Sequence, residues 1–171
     1  SEYVDYIRDH LIRQATVIKP NITEACLLTG FDYGEVMEAT GDRTMRRLKS
    51  CLFNIVTALK ELGPRDIVIT GVDRGERILN TLADEHDVKF ISVRKTGQNR
   101  PGTGDIFSAI VASGLLLGMS LEHAVRKACD FIAVAIEISE EAGMPVMEVV
   151  MFEKIMSRLS STADQAGSIR H

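Results

Sequence analysis

Asp66-Ile67-Val68-Ile69-Thr70-Gly71 is the stretch on which the fold turns. Ile67, Val68 and Ile69 form an unbroken β-branched run, where a strand wetted on one side would alternate polar with apolar. A continuous run predicts burial on both faces, as in a parallel sheet. Just upstream, Met45, Leu48, Leu52, Ile55, Val56 and Leu59 recur at helical spacing over Thr44 to Leu62, and Gly63-Pro64 closes that helix.

Outward from this pair the chain alternates in kind. Tyr3, Ile7, Leu11 and Ile12 predict an opening helix to about Arg13, and Ala15 to Ile18 a short buried strand ended by Pro20. Pro20-Asn21-Ile22-Thr23-Glu24 starts a helix that stops near Gly30. Phe31 to Arg43 reads as a loop with at most a short helix. Arg77 to Leu82 and Val88 to Arg94 alternate and read as paired, more exposed strands around Asp84-Glu85-His86-Asp87. Helices are expected over Gly104 to Gly118, Leu121 to Ala142 and about Val149 to Leu159, with a loose tail over 161–171. That order of elements is an α/β layer architecture over residues 1–160.

With 171 residues, 45% of them hydrophobic, the chain can bury the core of one domain. A formal net charge of −4 and the lack of a basic block argue against a nucleic-acid partner. Cys26, Cys51 and Cys129 are too few and too far apart for a disulfide framework or a zinc site, and read as buried thiols of a reducing cytoplasm. Ser1 to His10 is charged and has no apolar signal core, and Ile106 to Met119 is too short for a bilayer, so it reads as a helix buried on all sides. Ser1 could cap a helix at once, so the chain is expected to be part of a longer protein.

The chemistry concentrates in Arg100-Pro101-Gly102-Thr103-Gly104-Asp105, directly ahead of an apolar helix. Two glycines permit a tight bend, and a helix start leaves N–H donors and about half a positive charge for an anion such as phosphate. A carboxylate beside that anion would repel it, unless it removes a proton from a hydroxyl attacking phosphorus. An aspartate in a first turn also serves a helix without any catalytic role. Asn21 and Glu24 match a capping box, and Lys95 and Arg100 are either phosphate-steering cations or solvated loop residues.

Ile18-Lys19-Pro20-Asn21-Ile22-Thr23-Glu24 through Gly30, Ile67-Val68-Ile69-Thr70-Gly71 and Gly102-Thr103-Gly104-Asp105-Ile106-Phe107 together resemble the ribokinase-like superfamily, most closely pyridoxal kinases. The resemblance covers essentially the whole chain, but only the C-terminal half of such an enzyme. It implies a partial ribokinase-like three-layer α/β fold, with the central strands, the vitamin-binding residues and an acidic magnesium motif of the first half lying outside the chain. It implies ATP-dependent phosphorylation of the 5′-hydroxyl of pyridoxal, pyridoxine or pyridoxamine, in vitamin B6 salvage. By position, Asp105 would be the base and Gly102, Thr103 and Gly104 the anion hole. Thr70, Gly71 and Lys95 would contact ATP, while Asn21 and Glu24 would hold Mg2+ through water.

Lys19 stands where pyridoxal kinases tend to carry threonine, which keeps a sugar kinase open. A hydroxymethylpyrimidine kinase would more often show cysteine at the Asp105 position. A further alternative is a non-catalytic nucleotide-binding fragment. Missing strands would expose an apolar sheet edge, so self-association, as a homodimer, is expected.

Overall fold

The computed structural model describes residues 2–160, and the chain divides into two compact units, one ending at Lys95 and the other starting at Thr96. The tail expected at 161–171 and the cap expected of Ser1 lie outside the described residues.

The first unit opens with a helical segment that changes pitch: α1 (Glu2–Tyr6), a π turn (Ile7–Leu11) and a 3-10 turn (Ile12–Gln14). Its extent is the expected one, but its winding is irregular. Only Ile12 is buried, so little packing enforces a regular spiral. A four-stranded sheet follows in the spatial order β1 (Val17–Ile18), β2 (Asp66–Asp73), β3 (Arg77–Ala83), β4 (Val88–Arg94). β1 pairs with β2 in parallel, through Val17 with Asp66 and Ile18 with Ile67, and the other two pairings are antiparallel. The parallel setting read from the apolar run therefore holds on one side of β2 only. Burial on both faces holds throughout, since Ile67, Val68 and Ile69 are all fully buried.

Three expectations for the strands need correction. β1 is shorter and less buried than the strand expected from Ala15, since it holds only Val17 and Ile18, both half-buried. β2 does not end at Gly71 but continues to Asp73, because Thr70 and Gly71 together stand opposite Asn80 in a bulge, between the pairs Ile69–Thr81 and Val72–Leu79. Gly71 takes φ +80°, which a bulge residue can adopt freely only without a Cβ. β3 is also not an exposed strand: it lies between β2 and β4, and Leu79 to Ala83 are buried.

Helices α2 (Ile22–Thr29), α3 (Tyr33–Thr40) and α4 (Arg46–Glu61) build the core with this sheet. From α4 come Leu48, Leu52, Ile55, Val56 and Leu59, all essentially inaccessible to solvent, packed with Ile67, Ile69, Val72 and Leu79. α3 is the short helix allowed for within Phe31 to Arg43, and at two turns it takes up most of that stretch. The Asp32 carboxylate starts it by accepting the Glu35 amide at 2.8 Å, and Val36 and Ala39 are buried. The turn into α4 is held by Asp42, which accepts from the amides of Thr44 and Arg47.

In the second unit, α5 (Thr103–Leu116) packs on α6 (Leu121–Glu141), followed by a 3-10 turn (Glu153–Ile155) and α7 (Ser157–Ser160). Gly114 permits the close approach, since a Cβ there would lie 3.0 Å from that of Ala124. α5 is not buried all round: Phe107, Ile110, Val111 and Gly114 face inward, whereas Leu116 and Leu117 are exposed. The helix expected from Val149 does not form there. The Val150 amide donates to the Pro101 carbonyl (3.5 Å) and the Met151 amide to Ser139 Oγ (2.8 Å), so neither is available to a helical ladder. Of the three cysteines read as buried thiols, only Cys26 is fully buried. No helix among the described residues is long and apolar enough to cross a membrane.

Candidate functional site

In the first unit, the carboxyl end of β1 runs through Lys19 and Pro20 into the start of α2. Crevices at such strand ends are where ligands bind in open α/β sheets. Asn21 and Glu24 form a reciprocal capping box: Asn21 Oδ1 accepts the Glu24 amide at 2.9 Å, and Glu24 Oε2 accepts the Asn21 amide at 2.8 Å. The Thr70 amide donates to the Pro20 carbonyl at 3.0 Å, and Asn21 and Thr70 form an isolated parallel bridge. Thus Asn21, Glu24, Thr70 and Gly71, far apart in sequence, converge at one strand end. The half-buried Thr70 hydroxyl makes no hydrogen bond among the described residues.

That geometry limits what a metal can do here. Asn21 Oδ1 and one Glu24 oxygen are committed to backbone amides, and among the described residues no three acidic, histidine or cysteine side chains are grouped so as to hold a metal ion. Glu24 Oε1 stays open on an exposed side chain. The pair fits Mg2+ through its water shell, the form in which that ion is commonly held, and not as a direct ligand cage.

Lys95 follows β4, with its amide donating to the Glu76 carbonyl at 2.8 Å and its ammonium on Asp73 Oδ2 at 2.5 Å. The lysine's hydrogen bond holds the Asp73 carboxyl below its ordinary range. A phosphate reaching Lys95 would compete with Asp73, a partner for which the sequence carries no local signal. Arg100, the other cation read as steering phosphate, is neither solvated nor available at the surface, being 3% exposed.

In the second unit, Gly102 precedes α5 with φ +81°, and the Ile106 amide makes the first helical bond, to the Gly102 carbonyl at 3.0 Å. The amides of Thr103, Gly104 and Asp105 have no helical acceptor, the arrangement in which a helix start can receive an anion. The Thr103 hydroxyl turns away from it and donates to the Arg100 carbonyl at 2.9 Å. Asp105 occupies the third helical position, exposed, with no hydrogen bond or ion pair among the described residues. Asn21 and Asp32 show what capping residues do in this chain: each accepts an amide. Asp105 accepts none, so it is not a capping side chain, and its structural role is confined to the helix dipole of the first turn. A cavity of about 410 Å³ beyond this turn, lined by Ile106, Ile110, Phe131 and Phe152, is too apolar for a triphosphate.

Residues 1–150 match the family model described as phosphomethylpyrimidine kinase. The hydroxymethylpyrimidine/phosphomethylpyrimidine kinase of Aquifex aeolicus (strain VF5) is 26% identical over 144 residues, covering 83% of this chain and 51% of that protein. A Bacteroides thetaiotaomicron VPI-5482 protein assigned as a phosphomethylpyrimidine kinase, in a crystal form with pyridoxal, superposes with a TM-score of 0.77 at 27% identity, over 93% of this chain and 54% of that one. The ADP complex of Bacillus subtilis pyridoxal kinase gives 0.63 at 26% identity, over 78% and 48%. The chain thus spans about half the length of these relatives and holds part of the ribokinase-like α/β fold. The fold and the family match agree on a ribokinase-like kinase rather than on pyridoxal kinases in particular, and with residues 1–150 matched the chain belongs to the phosphomethylpyrimidine kinase family.

Proposed function

We propose that this chain supplies the phosphate site and catalytic base of an ATP-dependent kinase that phosphorylates the 5′-hydroxyl of pyridoxal, pyridoxine or pyridoxamine. The observation that carries the reading is Asp105: a carboxylate without a partner, in the same helical turn as the open amides of Thr103 and Gly104. The carboxylate takes the hydroxyl proton as the substrate oxygen bonds to the γ-phosphorus. The bond from that phosphorus to the β,γ-bridging oxygen breaks, and ADP leaves with its electron pair. The amides of the turn, with the Gly102 bend ahead of them, hold the transferring group where charge accumulates. Thr70 and Gly71, in the β2 bulge beside the carboxyl end of β1, occupy a place suited to the nucleotide phosphates. Mg2+ would supply charge neutralisation on the nucleotide, with Glu24 oriented by its cap to hold the ion's water.

Hydroxymethylpyrimidine as acceptor is the second reading, favoured by the family model and the Aquifex relative. Asp105, where that chemistry more often carries cysteine, and the Bacteroides crystal form with pyridoxal support the first. The test uses a protein extended to the length of these relatives, assayed for pyridoxal phosphate by absorbance. Asp105→Asn should lower turnover roughly 10²–10⁴-fold. Unchanged turnover removes the base assignment, and phosphorylation of hydroxymethylpyrimidine alone selects the second acceptor.

A further inference from the structure

We infer that Arg100 is a positioning residue for the phosphate turn, gripping the segment after α6 so that the amides ahead of Asp105 keep one orientation. The inference rests on the anion-site reading of that turn. Arg100 is 3% exposed, yet its guanidinium meets no carboxylate. Nη1 donates to the Pro145 carbonyl at 2.8 Å and Nη2 to the Met144 carbonyl at 3.0 Å, while Nε is buried without an acceptor. Burying a cation on two neutral carbonyls is costly, so a connecting loop gains nothing from it as mere surface chemistry.

The contacts made by neighbouring residues show what the grip organises. The Arg100 carbonyl accepts the Thr103 hydroxyl, the Pro101 carbonyl accepts the Val150 amide, and Gly102 sits against Val149. The bend is therefore fastened to residues 144–150 along its length, and the Arg100 fork is its charged anchor. A planar fork with two parallel donors matches successive carbonyls in a way a single ammonium does not. Anion-binding amides displaced by about 1 Å lose much of their effect.

The test titrates tripolyphosphate into the isotope-labelled chain and follows the backbone amides by NMR. In the unaltered chain, Thr103, Gly104 and Asp105 should shift saturably. Arg100→Lys, which keeps the charge but not the fork, should weaken that binding about tenfold or more while amides remote from the turn stay put. Arg100→Met, which keeps the stem, should weaken it at least as much. Absence of shifts in the unaltered chain refutes the anion site itself. Shifts in the unaltered chain with an affinity in Arg100→Lys within twofold refute the positioning role alone. Collapse of amide dispersion throughout Arg100→Lys also refutes it, since Arg100 would then be a general support of the fold.

Discussion

Gly102→Ala separates two costs that the turn imposes on any side chain at its apex. The first is conformational: φ is +81°, and an L-residue in the left-handed region loses about 1–2 kcal/mol. The second is steric, because the new Cβ would stand 3.0 Å from Val149 Cγ1. Val149 is 53% exposed and can turn away, so the added penalty is that of an off-rotamer side chain, about 0.5–1.5 kcal/mol. Gly118→Ala provides the control, since Gly118 has φ +82° but nothing within 4 Å of the added Cβ. Urea unfolding should show Gly102→Ala the more destabilised of the two by that steric increment, at unchanged denaturant slope. Adding Val149→Ala should return the increment and leave the conformational cost. Equal losses at Gly102 and Gly118, or no recovery with Val149→Ala, would refute the assignment of Val149 as the wall of the bend.

Two further outcomes follow from the first unit. Asn21→Ala and Glu24→Ala should each lower stability by about 1 kcal/mol, and the double variant by less than both together, because each bond of the capping box orders the other; strict additivity in urea unfolding would contradict a reciprocal box. Acid should destabilise the chain through Asp42, held low by the Arg47 amide and then by Thr44, and through Asp73, held low by Lys95. Folded values below the ordinary 3.8 mean that this stability is present above that pH and fades as pH falls through the depressed values. A urea midpoint that falls as steeply in acid for Asp42→Asn/Asp73→Asn as for the unaltered chain would refute the assignment.

What the sequence disclosed, and what it hid, divides by the range of the forces involved. α4 was legible because one apolar stripe repeats over four turns, and β2 because three consecutive β-branched residues leave no polar face. The capping box was legible as a local pattern, although its meeting with Thr70 depends on the Pro20 carbonyl and strand pairing. α3 was obscured by Gly34, a weak helix former, while the signal that mattered was Asp32 three residues before Glu35. The stretch near Val149 has helical spacing, but its amides are claimed by Pro101 and Ser139, contacts that periodicity does not encode. Arg100 was hidden for the same reason. Its partners are main-chain carbonyls some 45 residues away, and carbonyls carry no residue identity to search for.

The irregularity at Thr70-Gly71 also sets an arithmetic of odd and even for this strand. Ile69 and Val72 are three positions apart, a spacing that in a plain strand points them to opposite sides, yet both belong to the core packed under α4. The doubled rung absorbs the mismatch. Losing or gaining one residue there would exchange inside for outside from Val72 onward and put Asp73 where an aliphatic side chain belongs. Length changes in this family should accordingly gather in the reversal at 74–76 and avoid single-residue steps between Ile69 and Val72.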